Sequence, residues 1–167
     1  MSKILVLMGV AGSGKSTIGN LLSERLGWEF IEGDDFHPAE NVEKMSAGLP
    51  LNDQDRLPWL KQLNAHLRET QASGNPVIIS CSALKRDYRE ALQSGIDDLI
   101  FIYLQGDFQT IIRRLQKRKK HFMKPEMLRS QFEILEPPGV EEALIVSIEQ
   151  SIEKNLERIV RAAKFEN

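Results

Sequence analysis

The chain has 167 residues, 41% hydrophobic and 28% charged, with a net charge of -2. That length fits one domain with a real core, and the composition is that of an ordinary soluble globular protein, neither disordered nor repetitive. The charge balance excludes a dedicated nucleic-acid binder, which needs a basic surface to neutralise phosphates, and the one cysteine, Cys81, excludes an internal disulfide.

Residues 3–8 read as a buried strand: the run is short, rich in Ile, Leu and Val, and ended by Gly9. It is far too short to span a membrane and runs directly into glycines, so a cytoplasmic protein without membrane association is expected. A helix over 15–26 follows, with Ile18, Leu21, Leu22 and Leu26 on one face and Gly27 as its stop. Residues 28–31 form a short second strand, and Pro38 opens a helix reaching Ala47. A longer helix covers about 54–72, with Asp53 placed to cap it and Pro58 limiting how early its hydrogen-bond ladder begins.

Residues 77–81 and 99–104 read as the third and fourth strands, with a helix over 83–93 between them. Asp107 can cap the next helix, which carries Ile111, Ile112 and Leu115 inward and turns strongly basic toward Lys120. A helix over 127–135, a break at 136–139, a fifth strand over 144–148 and a helix over 152–163 complete the chain. Strands alternating with helices imply a parallel sheet covered on both faces.

Between the first strand and the first helix lies Gly9-Val10-Ala11-Gly12-Ser13-Gly14-Lys15-Ser16, followed by Thr17. This is the P-loop spacing: its glycines let successive backbone N–H groups point inward at phosphate oxygens, and the following helix adds its positive N-terminal end. Lys15 is expected on the β- and γ-phosphates and the Ser16 hydroxyl on Mg²⁺. Strand before and helix after are the context the motif requires. The nucleotide is thereby indicated, but not the fate of its terminal phosphate.

A GTPase needs an Asn-Lys-x-Asp guanine-reading motif, and a motor ATPase needs an acid ending a second apolar strand. Neither is evident, since the strand VIISC ends in Ser80, Cys81 and Ser82, so another carboxylate must organise metal and nucleophile. The run from Arg113 to His121 carries six Lys or Arg in its first eight positions. It reads either as a solvated helix end or as a basic lid that closes over ATP. In the lid reading Arg114 and Arg118, one helical turn apart, face the nucleotide and meet charge moving between phosphates.

These features resemble the small P-loop kinases of the nucleoside-monophosphate and shikimate kinase type. Four segments narrow the resemblance: GDDFHPAENVEKMSAGLPLNDQDRLPWL, CSALKRDYRE, FIYLQGDF and HFMKPEMLRSQFEILEPP. Together they resemble the gluconokinase family over nearly the whole chain. The resemblance implies transfer of the ATP γ-phosphate to the 6-hydroxyl of D-gluconate, in a single α/β domain of three layers. It further implies a five-stranded parallel sheet, an acceptor-binding region at about 33–73, a mobile lid at about 118–127, dependence on Mg²⁺ and a homodimer. Where many members carry Asp-Gly-Asp this chain has Glu32-Gly33-Asp34, which keeps a metal-facing carboxylate on a longer arm. Two alternatives stay open: a kinase of the same fold acting on another small hydroxy acid such as shikimate, and a nucleotide-binding regulatory module without turnover.

Gluconate offers a carboxylate, five hydroxyls and no aromatic face, so its site needs a cation, hydrogen-bonding groups and a carboxylate beside the reacting hydroxyl. Asp34, just past the second strand, is expected to orient that hydroxyl and accept its proton; Asp35 is expected to point elsewhere, as a turn residue. His37 either bonds a substrate hydroxyl or stabilises the loop before Pro38. Asn41 and Lys44 share a helix face, where Lys44 touches substrate or is merely solvated. Arg56 is the main candidate for the gluconate carboxylate, the bland alternative being an ion pair with Asp53 or Asp55. Ser80 and Ser82 can offer hydroxyls or backbone N–H groups, and Lys85, four before Arg89 on one face of the next helix, is the likelier of those two to reach substrate. Cys81 reads as a small buried apolar residue and Trp59 as core.

Overall fold

The computed structural model describes residues 3–118 and 124–165. Its strands are β1 (Ile4–Met8), β2 (Glu29–Glu32), β3 (Val77–Ser80), β4 (Leu99–Gln105) and β5 (Ala143–Ser147). They form one parallel sheet in the order β2-β3-β1-β4-β5. β1 and β3 are buried along their whole length, which is why they read as continuous apolar runs rather than as alternating ones.

The helices are α1 (Lys15–Leu26), α2 (Ala39–Ser46), α3 (Asp53–Ser73), α4 (Arg86–Gln93), α5 (Phe108–Gln116), α6 (Pro125–Ile134) and α7 (Ile152–Phe165). They cover both faces of the sheet, with α1 packed against α7 and α3 against α4. Between β2 and α2 the chain makes one 3-10 turn, Gly33–Phe36.

Several expected boundaries move for identifiable reasons. α3 is capped by Asn52, not Asp53: the Asn52 side chain accepts from Asp55 N at 2.8 Å and the Asp55 carboxylate accepts from Asn52 N at 2.9 Å, a reciprocal capping box. Asp53 becomes the first helical residue, and its carboxylate turns to another helix. α4 begins at Arg86 rather than Ala83, because Ala83 has φ +47° and Lys85 is extended. α5 stops at Gln116, so Arg114 and Arg118 do not share a helical face. Of the expected lid at 118–127, residues 119–123, including Lys119, Lys120 and His121, lie outside the described residues; Pro125 opens α6 as its first residue.

Among the described residues no helix is long and apolar enough to cross a membrane. The C-terminal ends of β2, β3 and β1 stand side by side in the sheet, although α1, α2 and α3 separate them in sequence. Ligands in open α/β sheets gather at that edge.

Candidate active site

The turn after β1 is shaped to receive an anion. Gly14 precedes α1 with φ +99°, a left-handed conformation that costs glycine little, and no side chain caps the N–H groups of the first turn. The Ser13 hydroxyl is buried without a hydrogen-bond partner among the described residues. Lys15 Nζ donates to the loop's own carbonyls, Gly9 O at 2.8 Å and Val10 O at 3.0 Å. Burial pushes its pKa down, while Asp34 and Glu32 oppose that shift. The Ser16 and Thr17 side chains are exposed beside it. From α6, Gln131 Oε1 accepts the Ala11 N–H at 2.8 Å.

The facing wall comes from β2 and the 3-10 turn. Glu32 ends β2 opposite Ser80 at the end of β3, and Ser80 Oγ donates to Glu32 Oε2 at 2.7 Å. An acid therefore stands beside the end of β3 after all, supplied by the neighbouring strand. Ser80 Oγ also accepts Gly33 N at 3.2 Å. A Cβ on Gly33 would lie 2.0 Å from Ser80 O, so only glycine passes here. Trp59 Nε1, from the core face of α3, donates to Gly33 O at 2.8 Å and pins the turn from below.

That turn presents Asp34 to a cavity of about 170 Å³ shared with Lys15, Ser16, Thr17, Glu32, Ser80 and Arg118. Asp35 is exposed and outside the lining. His37, stacked on Trp59 with ring centroids 4.1 Å apart, places Nε2 3.6 Å from Asp34 Oδ1. Asn41 Nδ2 donates to His37 Nδ1 at 3.2 Å and to Asp55 O at 2.8 Å, which assigns the histidine proton to Nε2, the nitrogen facing Asp34. His37 is the largest influence holding Asp34 below the usual carboxylate range; partial desolvation by its neighbours opposes it although the side chain stays largely exposed, and Lys15 and Arg56 add to it. His37 and Asn41, expected among the substrate-side residues, are thus turned inward as supports of Asp34.

The basic candidates separate. Lys44 Nζ donates to Asp55 Oδ2 at 2.6 Å and Lys85 Nζ to Asp53 Oδ1 at 3.0 Å. Arg89 does not share an exposed face with Lys85; it is buried and paired with Glu142 at 2.5 Å. Arg56 is buried, donates from Nε to Leu51 O at 3.4 Å, and has its guanidinium 5.3 Å from the Tyr88 ring centroid. It belongs to none of the ion pairs among the described residues, so neither Asp53 nor Asp55 takes it. Ser82 O accepts Gly9 N at 3.2 Å, tying the exit of β3 to the phosphate loop. Arg118 lines the cavity, whereas Arg114 Nη2 donates to Ile148 O at 2.6 Å, toward the β5–α7 turn. Burial raises the Cys81 thiol to about 12, so it is no nucleophile.

A larger hollow of about 680 Å³ lies against α4 and the first residues of β4 and β5. It holds none of the phosphate-loop residues, so the smaller cavity is the site. Trp59, Tyr88 and Gln131 complete the site's frame without having been singled out for it from sequence. Of these only Trp59, a lone aromatic in Leu57-Pro58-Trp59-Leu60, carried a visible signal.

A profile of the Shikimate kinase family matches residues 11–163. The chain is 49% identical over 152 residues to the thermoresistant gluconokinase of Escherichia coli K12, covering 90% of this chain and 87% of that one. It is 45% identical to a probable gluconokinase of Mus musculus, covering 96% and 97%. The chain belongs to the gluconokinase family. The crystal structure of a gluconokinase from Sinorhizobium meliloti 1021 superposes with a TM-score of 0.82 at 41% identity, over 98% of this chain and 96% of that one. Family membership together with the P-loop kinase fold makes this chain a nucleotide-using kinase, and the non-catalytic alternative is not favoured.

Proposed function

We propose that the chain transfers the γ-phosphoryl group of ATP to the 6-hydroxyl of D-gluconate, giving 6-phospho-D-gluconate and ADP. The observation that carries this reading is one cavity with Lys15 and the phosphate-loop amides on one wall and Asp34 on the other. In the reaction the hydroxyl oxygen forms a bond to the γ-phosphorus, the bond from that phosphorus to the β–γ bridging oxygen breaks, and the hydroxyl proton passes to Asp34. Because phosphoryl transfer goes through a loose transition state, positioning and charge stabilisation dominate. The low pKa of Asp34 fits that order: the carboxylate orients the hydroxyl first and takes the proton late.

Lys15 leaves its own loop carbonyls for phosphate oxygens, the Ser13 hydroxyl and the uncapped amides of α1 gain acceptors, and Arg118 meets the developing charge. Arg56 holds the gluconate carboxylate, with Ser82 near the substrate. Lys44 and Lys85 reach substrate only by exchanging their aspartate partners. Arg114 serves the nucleotide from the β5–α7 side. The residues fit a magnesium ion of the kind nucleotide phosphates largely coordinate: Ser16 and Glu32, which line the same cavity, would hold it, and the ion would neutralise phosphate charge. No cluster of three or more His, Cys, Asp or Glu suited to a metal occurs among the described residues.

A cytoplasmic homodimer is part of the same reading: the buried free cysteine suits a reducing compartment, and the family resemblance carries the dimer. Light scattering on the purified chain checks the latter. The function is tested by a coupled ADP assay across sugar acids, shikimate and nucleoside monophosphates. ADP release is expected to depend on gluconate and Mg²⁺. Turnover on shikimate or a nucleoside monophosphate but not on gluconate overturns the substrate, and ATP binding that no acceptor converts to turnover overturns the reaction.

A further inference from the structure

Arg56 poses a physical problem. A buried guanidinium is costly without a carboxylate, and two carboxylates lie within three residues of it on its own helix, Asp53 and Asp55. Both exert a field on Arg56, yet neither pairs with it. Each is held by other groups, in both cases including a side chain from outside α3. Asp55 accepts from Lys44 of α2 and from the Asn52 backbone N–H of the capping box. Asp53 accepts from Lys85 and from the Tyr88 hydroxyl of α4. Tyr88 is itself buried, with the Arg56 guanidinium 5.3 Å and Lys85 Nζ 5.6 Å from its ring centroid. One side chain therefore holds one of the two competing anions at its hydroxyl and supports the cation on its ring.

We infer that Tyr88 is a positioning residue for acceptor binding: by holding Asp53 at its hydroxyl it keeps Arg56 free to bind the carboxylate of the substrate acid. Lys85 assists from the other side of Asp53, and Lys44 does the same for Asp55. In this arrangement the two lysines balance protein carboxylates, while one planar, two-pronged cation is left for a ligand carboxylate of matching geometry. Selection of an acid over an uncharged polyol follows from the pairing pattern around Arg56, not from the number of cations near the site. The inference rests on the proposed function for the identity of the acid, but not for its charge.

The test compares the wild-type chain with Tyr88→Phe, Asp53→Asn and the double variant, measuring gluconate KM, kcat and ATP KM. Tyr88→Phe is expected to raise the gluconate KM about tenfold, the size of one charge-assisted hydrogen bond lost to an internal competitor, with kcat and ATP KM little changed. Adding Asp53→Asn removes the competitor and is expected to return KM close to the wild-type value. Asp53→Asn alone leaves KM at or below wild type. The double variant also lacks the tyrosine hydroxyl, so a mere packing defect would persist in it. An unchanged KM in Tyr88→Phe, a double variant no better than Tyr88→Phe, or a raised KM in Asp53→Asn alone overturns the inference. If the wild-type chain ignores gluconate and phosphorylates another carboxylic acid, the substrate reading fails alone and the same four proteins are compared on that acid. Preference for an uncharged acceptor overturns both.

Discussion

At the scale of the residue, Asp34 carries the chemistry, and its surroundings set when it works. Replacing it by asparagine keeps the shape and removes the proton acceptor, so Asp34→Asn is expected to lower kcat by about 10²- to 10⁴-fold with ATP KM little altered, in steady-state assays at saturating gluconate. Its pKa is lowered chiefly by the His37 ring. A carboxylate whose folded pKa lies below its unfolded value favours the folded state above the ordinary carboxylate range, and that contribution disappears as pH falls through the folded value. The acid limb of kcat/KM has the same sign, with activity lost on acidification only below the usual aspartate range. His37→Leu removes the ring N–H that is the largest cause while the opposing desolvation remains, so the limb is expected to move to higher pH. A pH–rate profile in which His37→Leu and wild type share one acid limb would show that Lys15 and Arg56 hold Asp34 unaided.

At the scale of the element, α3 shows how an acceptor wall is fixed. Its capping box positions Asp55 for Lys44, and the turn after it brings Arg56 and Trp59 under the site. Asn52→Ala is expected to lower stability by about 1 kcal/mol, read as a shift in the urea midpoint. The strands and phosphate loop were legible because their signals are local: a buried apolar run, glycines at fixed spacing, then a helical stripe. Asp53 is a capping residue by type, but the cap is Asn52 through its reciprocal bonds with Asp55, while the Asp53 carboxylate accepts from Tyr88, 35 residues away. The start of α4 was missed for a similar reason. Arg89 Nη1 donates to Ala83 O at 2.8 Å and to Leu84 O at 3.3 Å, holding those residues out of the helix, and nothing in Ser82-Ala83-Leu84 announces it. Asp34 stands out by its position just past a strand end, and Arg56 by its residue type at the start of a helix. The pairing of Lys44 and Lys85 with aspartates was beyond reach, since it depends on which helices meet.

At the scale of the molecule, the site exists because β2, β3 and β1 are neighbours in the sheet but not in sequence, bringing Glu32, Ser80 and the phosphate loop to one edge. Keeping that edge in register requires the exit of β3 to be tied to the far side of the sheet, and Arg89 makes the tie. Its guanidinium, 2% exposed, donates to Glu142 before β5, to Glu136 O at 3.0 Å after α6, and to the carbonyls of Ala83 and Leu84. Removing the cation leaves Glu142 without its partner and takes a donor from the Ala83 and Glu136 carbonyls, while Leu84 O keeps the Glu136 N–H at 2.8 Å. Arg89→Met is therefore expected to cost about 3 kcal/mol, the lower end for breaking a buried pair because Glu142 keeps some access to water. Arg89→Met with Glu142→Gln removes the uncompensated charge, so the double variant is expected to recover part of that loss but not the share due to the Ala83 and Glu136 carbonyls. Urea unfolding of wild type, both single variants and the double variant gives the coupling directly. A coupling near zero would mean that the carbonyl bonds, rather than the ion pair, fasten the β3 exit, and would leave Glu142 free to be replaced without consequence for the site.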